Sequence, residues 1–227
     1  MSIWKPLIGV VAVLVAAGIG VGMQGKEPTK APMKEIPTDA KTLVVAGGCF
    51  WCIEVIFEEL KGVYQVENGY AGGGRPNVTY EQVCSGSTGH AEVVKVYYDP
   101  RQVSADDLLR LFFVVHNPTT LNRQGPDSGT QYRSAVFYAT DEEKQLAERI
   151  RDEITKQKIW PDRIVTSIEP LKNYTKAEEY HQDYFARYEK AGPMERAGMN
   201  AGYCSAVIEP KVQEFRKKFR DKLKKSG

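Results

Sequence analysis

From Lys41 onward the apolar positions recur with two distinct periods. Lys41 to Ala46 reads as a strand stopped by Gly47-Gly48, and Phe50, Ile53, Phe57 and Leu60 follow at helical spacing until Gly62. Val63 to Tyr70 and Ala91 to Tyr98 alternate as strands, with Gly72-Gly73-Gly74 and Pro76 forming a loop between them. Ser104 opens a helix whose inner face is Leu108, Leu111, Phe112 and Val115, and Ser134 to Tyr138 is a further strand. Thr140 with Glu143, and Thr175 with Glu178, have capping-box spacing and predict two more helix starts. The order strand, helix, strand, strand, helix, strand is the split βαβ pattern of ferredoxin-like folds. It predicts an α+β sandwich, an antiparallel sheet with helices on one face, ending in an irregular C-terminal arm.

Ahead of this region, Leu7 to Met23 is a run of seventeen residues without a charge, near the lower limit for spanning a bilayer. A cleaved signal peptide is the rival reading, with Val15-Ala16-Ala17 as a small-residue cleavage site. Gln24 to Asp39, spaced by Pro28, Pro32 and Pro37, reads as an extended tether. The expected organisation is a hydrophobic segment over 1–24, a linker over 25–40, one folded domain over 41–209 and a basic tail over 210–227. With such a leader the domain is expected to lie outside the cytoplasm, tethered to the membrane or secreted after cleavage.

Composition narrows the functional classes. A chain of 227 residues supports one well-buried core and is short for two. Its formal charge of +2 hides an asymmetry, since Pro210 to Gly227 holds eight Lys/Arg against two acids. Nothing else resembles a nucleic-acid platform. Val212, Phe215, Phe219 and Leu223 recur at helical spacing within the tail, so it is expected to dock on the domain, the alternative being that it lies on an anionic membrane beside the N-terminal segment.

Four cysteines are too few for a disulfide scaffold of this length, and three histidines supply no zinc spacing. Redox or nucleophilic chemistry remains. Cys49 follows two glycines and precedes a helical stripe, so unpaired backbone N–H groups and the helix dipole are expected to favour its thiolate. Cys49 and Cys52 form a CxxC, which invites thiol–disulfide exchange, but the intervening Phe50-Trp51 is unlike the small or proline-containing pair of such exchangers.

Three stretches taken together are more specific. Gly48-Cys49-Phe50-Trp51, Thr88-Gly89-His90-Ala91-Glu92 and Asp127-Ser128-Gly129-Thr130-Gln131-Tyr132-Arg133-Ser134 resemble, in order, signatures of the A-type methionine sulfoxide reductases. The resemblance runs from about Thr42 to Cys204. It implies a peptide-methionine (S)-S-oxide reductase without a cofactor, acting as a monomer on oxidised proteins or peptides and recharged by a thioredoxin-like dithiol. It implies Cys49 as nucleophile and Glu92 as acid, with Tyr80 and Tyr132 holding the sulfoxide oxygen. It implies Phe50 and Trp51 around the S-methyl group, with Asp127, His181 and Tyr184 shaping the pocket, His181 architecturally. His181, Tyr184 and Tyr188 are spaced for one helical face. Cys204, in an arm loosened by Gly192, Gly198 and Gly202, matches the recycling cysteine. Cys52, where many relatives have glycine, is the alternative resolver. Cys84 is read as structural.

Overall fold

The computed structural model describes residues 35–224, so the apolar run Leu7–Met23 and most of the tether lie outside the described residues. In chain order the elements are β1 (Lys41–Gly47), α1 (Phe50–Glu58), β2 (Val63–Ala71), α2 (Tyr80–Cys84), β3 (Ala91–Tyr98) and α3 (Ala105–Val115). The short strands β4 (Arg123–Gln124) and β5 (Asp127–Ser128) precede β6 (Ser134–Tyr138), α4 (Asp141–Lys156), β7 (Ser167–Pro170) and β8 (Thr175–Lys176). The chain continues through α5 (Tyr184–Lys190), α6 (Pro193–Ala197), α7 (Ala201–Tyr203) and α8 (Glu209–Lys218).

The main sheet has six strands in the order β7-β6-β1-β3-β2-β8. Its two faces follow from the period of two in β1. Leu43 and Val45 join the larger core with α1, α3 and α4, whereas Val44 and Ala46 join a smaller one with Ala91, Val93 and Phe137. Leu171 and Tyr174, from the segment between β7 and β8, cover that second face. The helix caps expected at Ser104 and Thr140 are present, each side chain accepting the N–H three residues on.

Four expectations need correction. The sheet is mixed, because β7 runs parallel to β6; a four-residue strand flanked by loops carries too little periodicity to be read. Thr175 does not cap a helix. It lies in β8 against Gly69 and Tyr70, and its hydroxyl accepts the Asn77 N–H at 3.0 Å. His181 and Tyr184 do not share one helix, since Asp183 adopts a left-handed conformation between them (φ 52°). The C-terminal arm is helical. Glu195 reaches back to the Gly192 N–H at 3.0 Å and Asn200 accepts from Tyr203 N–H, so capping side chains offset the freedom of the glycines. Beyond it the basic stretch does pack on the domain: Val212, Phe215 and Phe219 are buried, and Leu223 bridges to Leu60.

Candidate active site

The site forms at one end of the sheet, where β1 and β2 finish and β3 and β6 begin. Gly47 pairs with Ser134 there, and Glu92 pairs with Tyr70. Gly48 makes the turn at φ +89°, and a Cβ at this position would meet the Gln124 side chain at 2.5 Å. Only glycine fits both demands. Gln124 is itself pinned through both amide atoms to Asn117, each at 3.1 Å.

Cys49 is the residue that caps α1, with φ −52° and ψ 122°, and it is buried. Glu92 stands on the helix-facing side of β3, in phase with Val94 and Val96, and is only 2% exposed. Its Oε2 accepts the Phe50 N–H at 3.1 Å. This hydrogen bond favours the carboxylate, but burial outweighs it and moves the carboxyl up to about 8. At neutral pH Glu92 therefore carries a proton beside the turn that presents Cys49.

The expectation for Cys49 itself is reversed. Burial, with the neighbouring Cys52, Glu92 and Asp127, pushes its thiol well above the ordinary range. Desolvation outweighs the helix terminus because the sulfur is enclosed. Cys49 shares a hydrogen bond with Cys52, and that bond draws Cys52 the other way, lowering it.

Tyr80, on α2, and Tyr132, in the turn before β6, both face Glu92, and Tyr132 also faces Cys49. Burial pushes both phenols upward, so they remain donors. Tyr80 is fixed from behind by Glu178, which accepts its N–H at 2.9 Å and the Tyr70 hydroxyl at 2.8 Å. Trp51 stacks on Tyr184 at 3.7 Å and 6°. His181 lies against the rings of Tyr80 (4.5 Å), Phe50 (5.0 Å) and Trp51 (5.6 Å). Burial moves the His181 imidazole down to about 4, so it is neutral. Phe50 is fully buried and serves as the floor beneath Trp51.

Sequence reasoning missed three residues of this region. Tyr203 donates to Asp127 Oδ2 at 2.6 Å, lies 3.9 Å from Cys52 Sγ and meets Trp51 edge-on at 6.1 Å. Glu54, 2% exposed, accepts the N–H groups of Asp183 (2.7 Å) and Tyr184 (3.3 Å), tying the helix of Trp51 to its stacking partner. Lys211 faces Cys52, Cys49 and Asp127 from α8. The available signals were adjacency of Tyr203 to Cys204, an acidic residue in the apolar α1, and a lysine on the inner face of a helical stripe.

All four cysteines are free. Cys204 is fully buried in a π-type turn (Cys204–Ile208) that leads into α8, and the cysteine facing it is Cys52. Cys84 neighbours the Tyr80 hydroxyl. The structure thus gathers Cys49, Cys52, Glu92, Tyr80, Tyr132, Trp51, Asp127, His181 and Tyr184 at one place, with Cys204 behind Cys52.

This arrangement is chemically a buried thiol pair beside a protonated carboxyl and an aromatic wall, suited to a neutral oxidised substrate. Comparison with known proteins agrees. The chain is 49% identical over 181 residues to a peptide methionine sulfoxide reductase of Deinococcus radiodurans, covering 80% of this chain and 83% of the relative. It is 46% identical over 187 residues to that of Polynucleobacter asymbioticus, covering 82% and 93%. Among solved structures, reduced Mxr1 from Saccharomyces cerevisiae superposes with a TM-score of 0.63 at 36% identity, covering 71% of this chain and 92% of that one. Methionine sulfoxide reductase A of Corynebacterium diphtheriae gives 0.61 at 36% identity, covering 69% and 78%. Residues 41–223 match the family described as peptide methionine sulfoxide reductase, and the chain belongs to that family.

Proposed function

We propose that this chain reduces the S epimer of methionine sulfoxide, free or within oxidised proteins and peptides, at Cys49. The observation that carries the reading is Glu92, buried and protonated, hydrogen-bonded to the residue after Cys49. A sulfoxide oxygen leaves poorly unless protonated, so reduction needs a nucleophile at sulfur and an acid at oxygen. Cys49 attacks the sulfur, Glu92 protonates the oxygen, and the oxygen passes to Cys49. The balance is thiol plus sulfoxide giving sulfenic acid plus methionine. Tyr80 and Tyr132 orient the oxygen by hydrogen bonding, while Trp51 over Phe50 receives the S-methyl group, with Tyr184 fixing Trp51. Asp127 and His181 shape the pocket. Thiol–disulfide exchange alone involves no oxygen leaving group for Glu92, Tyr80 and Tyr132 to converge on.

Cys52 then attacks the Cys49 sulfenic acid, forming the Cys49–Cys52 disulfide and releasing water. The direct contact between these thiols supports Cys52 over Cys204 as first resolver. Cys204 exchanges next with Cys52, and an external thioredoxin-type dithiol reduces the product.

The central order β6-β1-β3-β2 supports the ferredoxin-like assignment. We further place one catalytic domain over 41–209, acting as a monomer, with the described part of the 210–227 tail against it. Residues 7–23 act as its anchor or export segment, and the domain lies outside the cytoplasm. The charge-free run and the proline-spaced tether support this placement.

Reduction of resolved methionine sulfoxide epimers with dithiothreitol as donor tests the reading. Turnover confined to the S epimer is expected, and a folded protein that turns over neither epimer overturns it.

A further inference from the structure

We propose that Lys211 supplies the positive charge that holds Cys52 ready as a thiolate to resolve the oxidised Cys49, an inference that rests on the reductase reading above. Resolution requires a thiolate, and Cys52 is 5% exposed with apolar neighbours on α1. Such a site holds a thiolate only with compensation.

The geometry of α8 brings that compensation. Arg216 forms an ion pair with Glu59 at the end of α1 and a second one, 2.7 Å long, with Glu189. Leu223 bridges to Leu60, while at the other end Tyr203 reaches Cys52. The two helices therefore run side by side in the same direction. From Arg216 back to Lys211 is a rise of about 7.5 Å, and from Glu59 back to Cys52 about 10.5 Å, at the helical rise per residue. Lys211 and Cys52 are therefore offset by only about 3 Å along the helix axes. Lys211 also shares the inner face of its helix, three residues after buried Ile208 and four before buried Phe215. The salt bridges among the described residues do not include Lys211; burial lowers its ammonium, and its charge neighbours Cys52, Cys49 and Asp127 act against that and favour the charged form.

Cys49 hydrogen-bonds Cys52 and Tyr203 approaches it, both favouring the thiolate, whereas Asp127 opposes it. Glu92 and Cys204 also face Cys52, but burial keeps the Glu92 carboxyl and the Cys204 thiol protonated at neutral pH. The Asp127 charge is tied up by the Tyr203 hydroxyl at 2.6 Å. His116, just after α3, also faces Lys211 but is neutral, its imidazole held down to about 3 by burial. Lys211 is thus the cation that faces both redox thiols. In the step it assists, the Cys52 sulfur bonds to the Cys49 sulfur, the S–O bond breaks, and the oxygen leaves as water with the proton released from Cys52.

The test is single-turnover chemistry on the full chain carrying Lys211→Met, Lys211→Gln or Lys211→Arg. Methionine release and the Cys49–Cys52 disulfide are followed separately, with a dimedone-type probe trapping any sulfenic acid. The neutral variants are expected to fold, since removing a partly buried charge relieves a desolvation cost. Both should still yield one methionine per chain. In each, the disulfide should form at least ~10-fold more slowly, with its pH midpoint raised by about one unit or more, and Cys49 sulfenic acid should be trapped. Lys211→Arg should restore the midpoint. Disulfide formation at the wild-type rate and midpoint in either folded neutral variant, or failure of the arginine variant to restore them, overturns the proposal. Absence of methionine from the wild-type chain instead overturns the reductase reading.

Discussion

Glu92 accepts the backbone N–H of Phe50 at 3.1 Å, which fastens the acid on β3 to the first turn of the helix that presents Cys49. The bond fixes one carboxyl oxygen and leaves the other for the site. Replacing the acid with an amide keeps the acceptor and removes the proton. Glu92→Gln should therefore lower kcat for sulfoxide reduction by about 10²–10⁴-fold, the usual worth of a placed general acid. Wild-type activity should also fall as pH rises through about 8, where Glu92 loses its proton. A Glu92→Gln enzyme of wild-type rate would show that the proton comes from elsewhere.

The same burial has a thermodynamic consequence. Glu92 moves from 4.5 to about 8 on folding, so between those values the folded chain binds more protons than the unfolded one. Its contribution to stability is fully present below about 4.5 and is lost as pH rises through about 8. Glu92→Gln removes this dependence and should be more stable than wild type at pH 8.5, by on the order of a few kcal/mol. The difference should shrink toward pH 5. Urea unfolding at the two pH values measures it, and equal differences at both would contradict the assigned environment. Glu54, also raised to about 8, leaves a residual slope of the same sign.

What was legible in the sequence follows from where information is local. The strands β1, β2, β3 and β6 and the caps at Ser104 and Thr140 were readable because period and cap chemistry lie within a few residues. Strand β7, only four residues long, exists by pairing with β6, and Thr175 was claimed by Gly69 and Tyr70 before it could cap a helix. Both outcomes are tertiary. The motifs pointed to Cys49, Glu92 and Tyr132 and the wider resemblance to Tyr80, but neither gave the direction of the Cys49 shift, because a helix terminus is local and desolvation is not. Lys211 and Tyr203 lie more than 150 residues from Cys52 and meet it only through the packing of α8 and the arm.

The hydrogen bond from Tyr203 to Asp127 makes the arm part of the site. Tyr203→Phe keeps the ring against Trp51 and removes the donor, leaving a partly buried carboxylate without that partner. The expected cost is about 1–3 kcal/mol of stability. Asp127 should hold its proton to higher pH, since the Tyr203 bond, ahead of Lys211, lowers it against burial. Denaturant unfolding of the variant measures the first effect. An unchanged midpoint would mean that water replaces the hydroxyl and that the arm is held by its apolar contacts alone.

The order of the two later thiols separates the variants Cys52→Ser and Cys204→Ser. Cys52 contacts Cys49 directly, whereas Cys204 is fully buried behind it. Cys52→Ser should release one methionine per chain and then accumulate Cys49 sulfenic acid, because the remaining thiol must rearrange its π-type turn to reach it. Cys204→Ser should form the Cys49–Cys52 disulfide at the wild-type rate and slow only at reduction by a thioredoxin-type dithiol. Small reductants such as dithiothreitol should restore its turnover, since they do not depend on relay to a protein partner. Mass spectrometry of the trapped single-turnover species distinguishes the cases. A Cys49–Cys204 disulfide in the wild-type chain before any Cys49–Cys52 bond would reverse the order and make the arm, rather than α1, the first source of the resolving thiol.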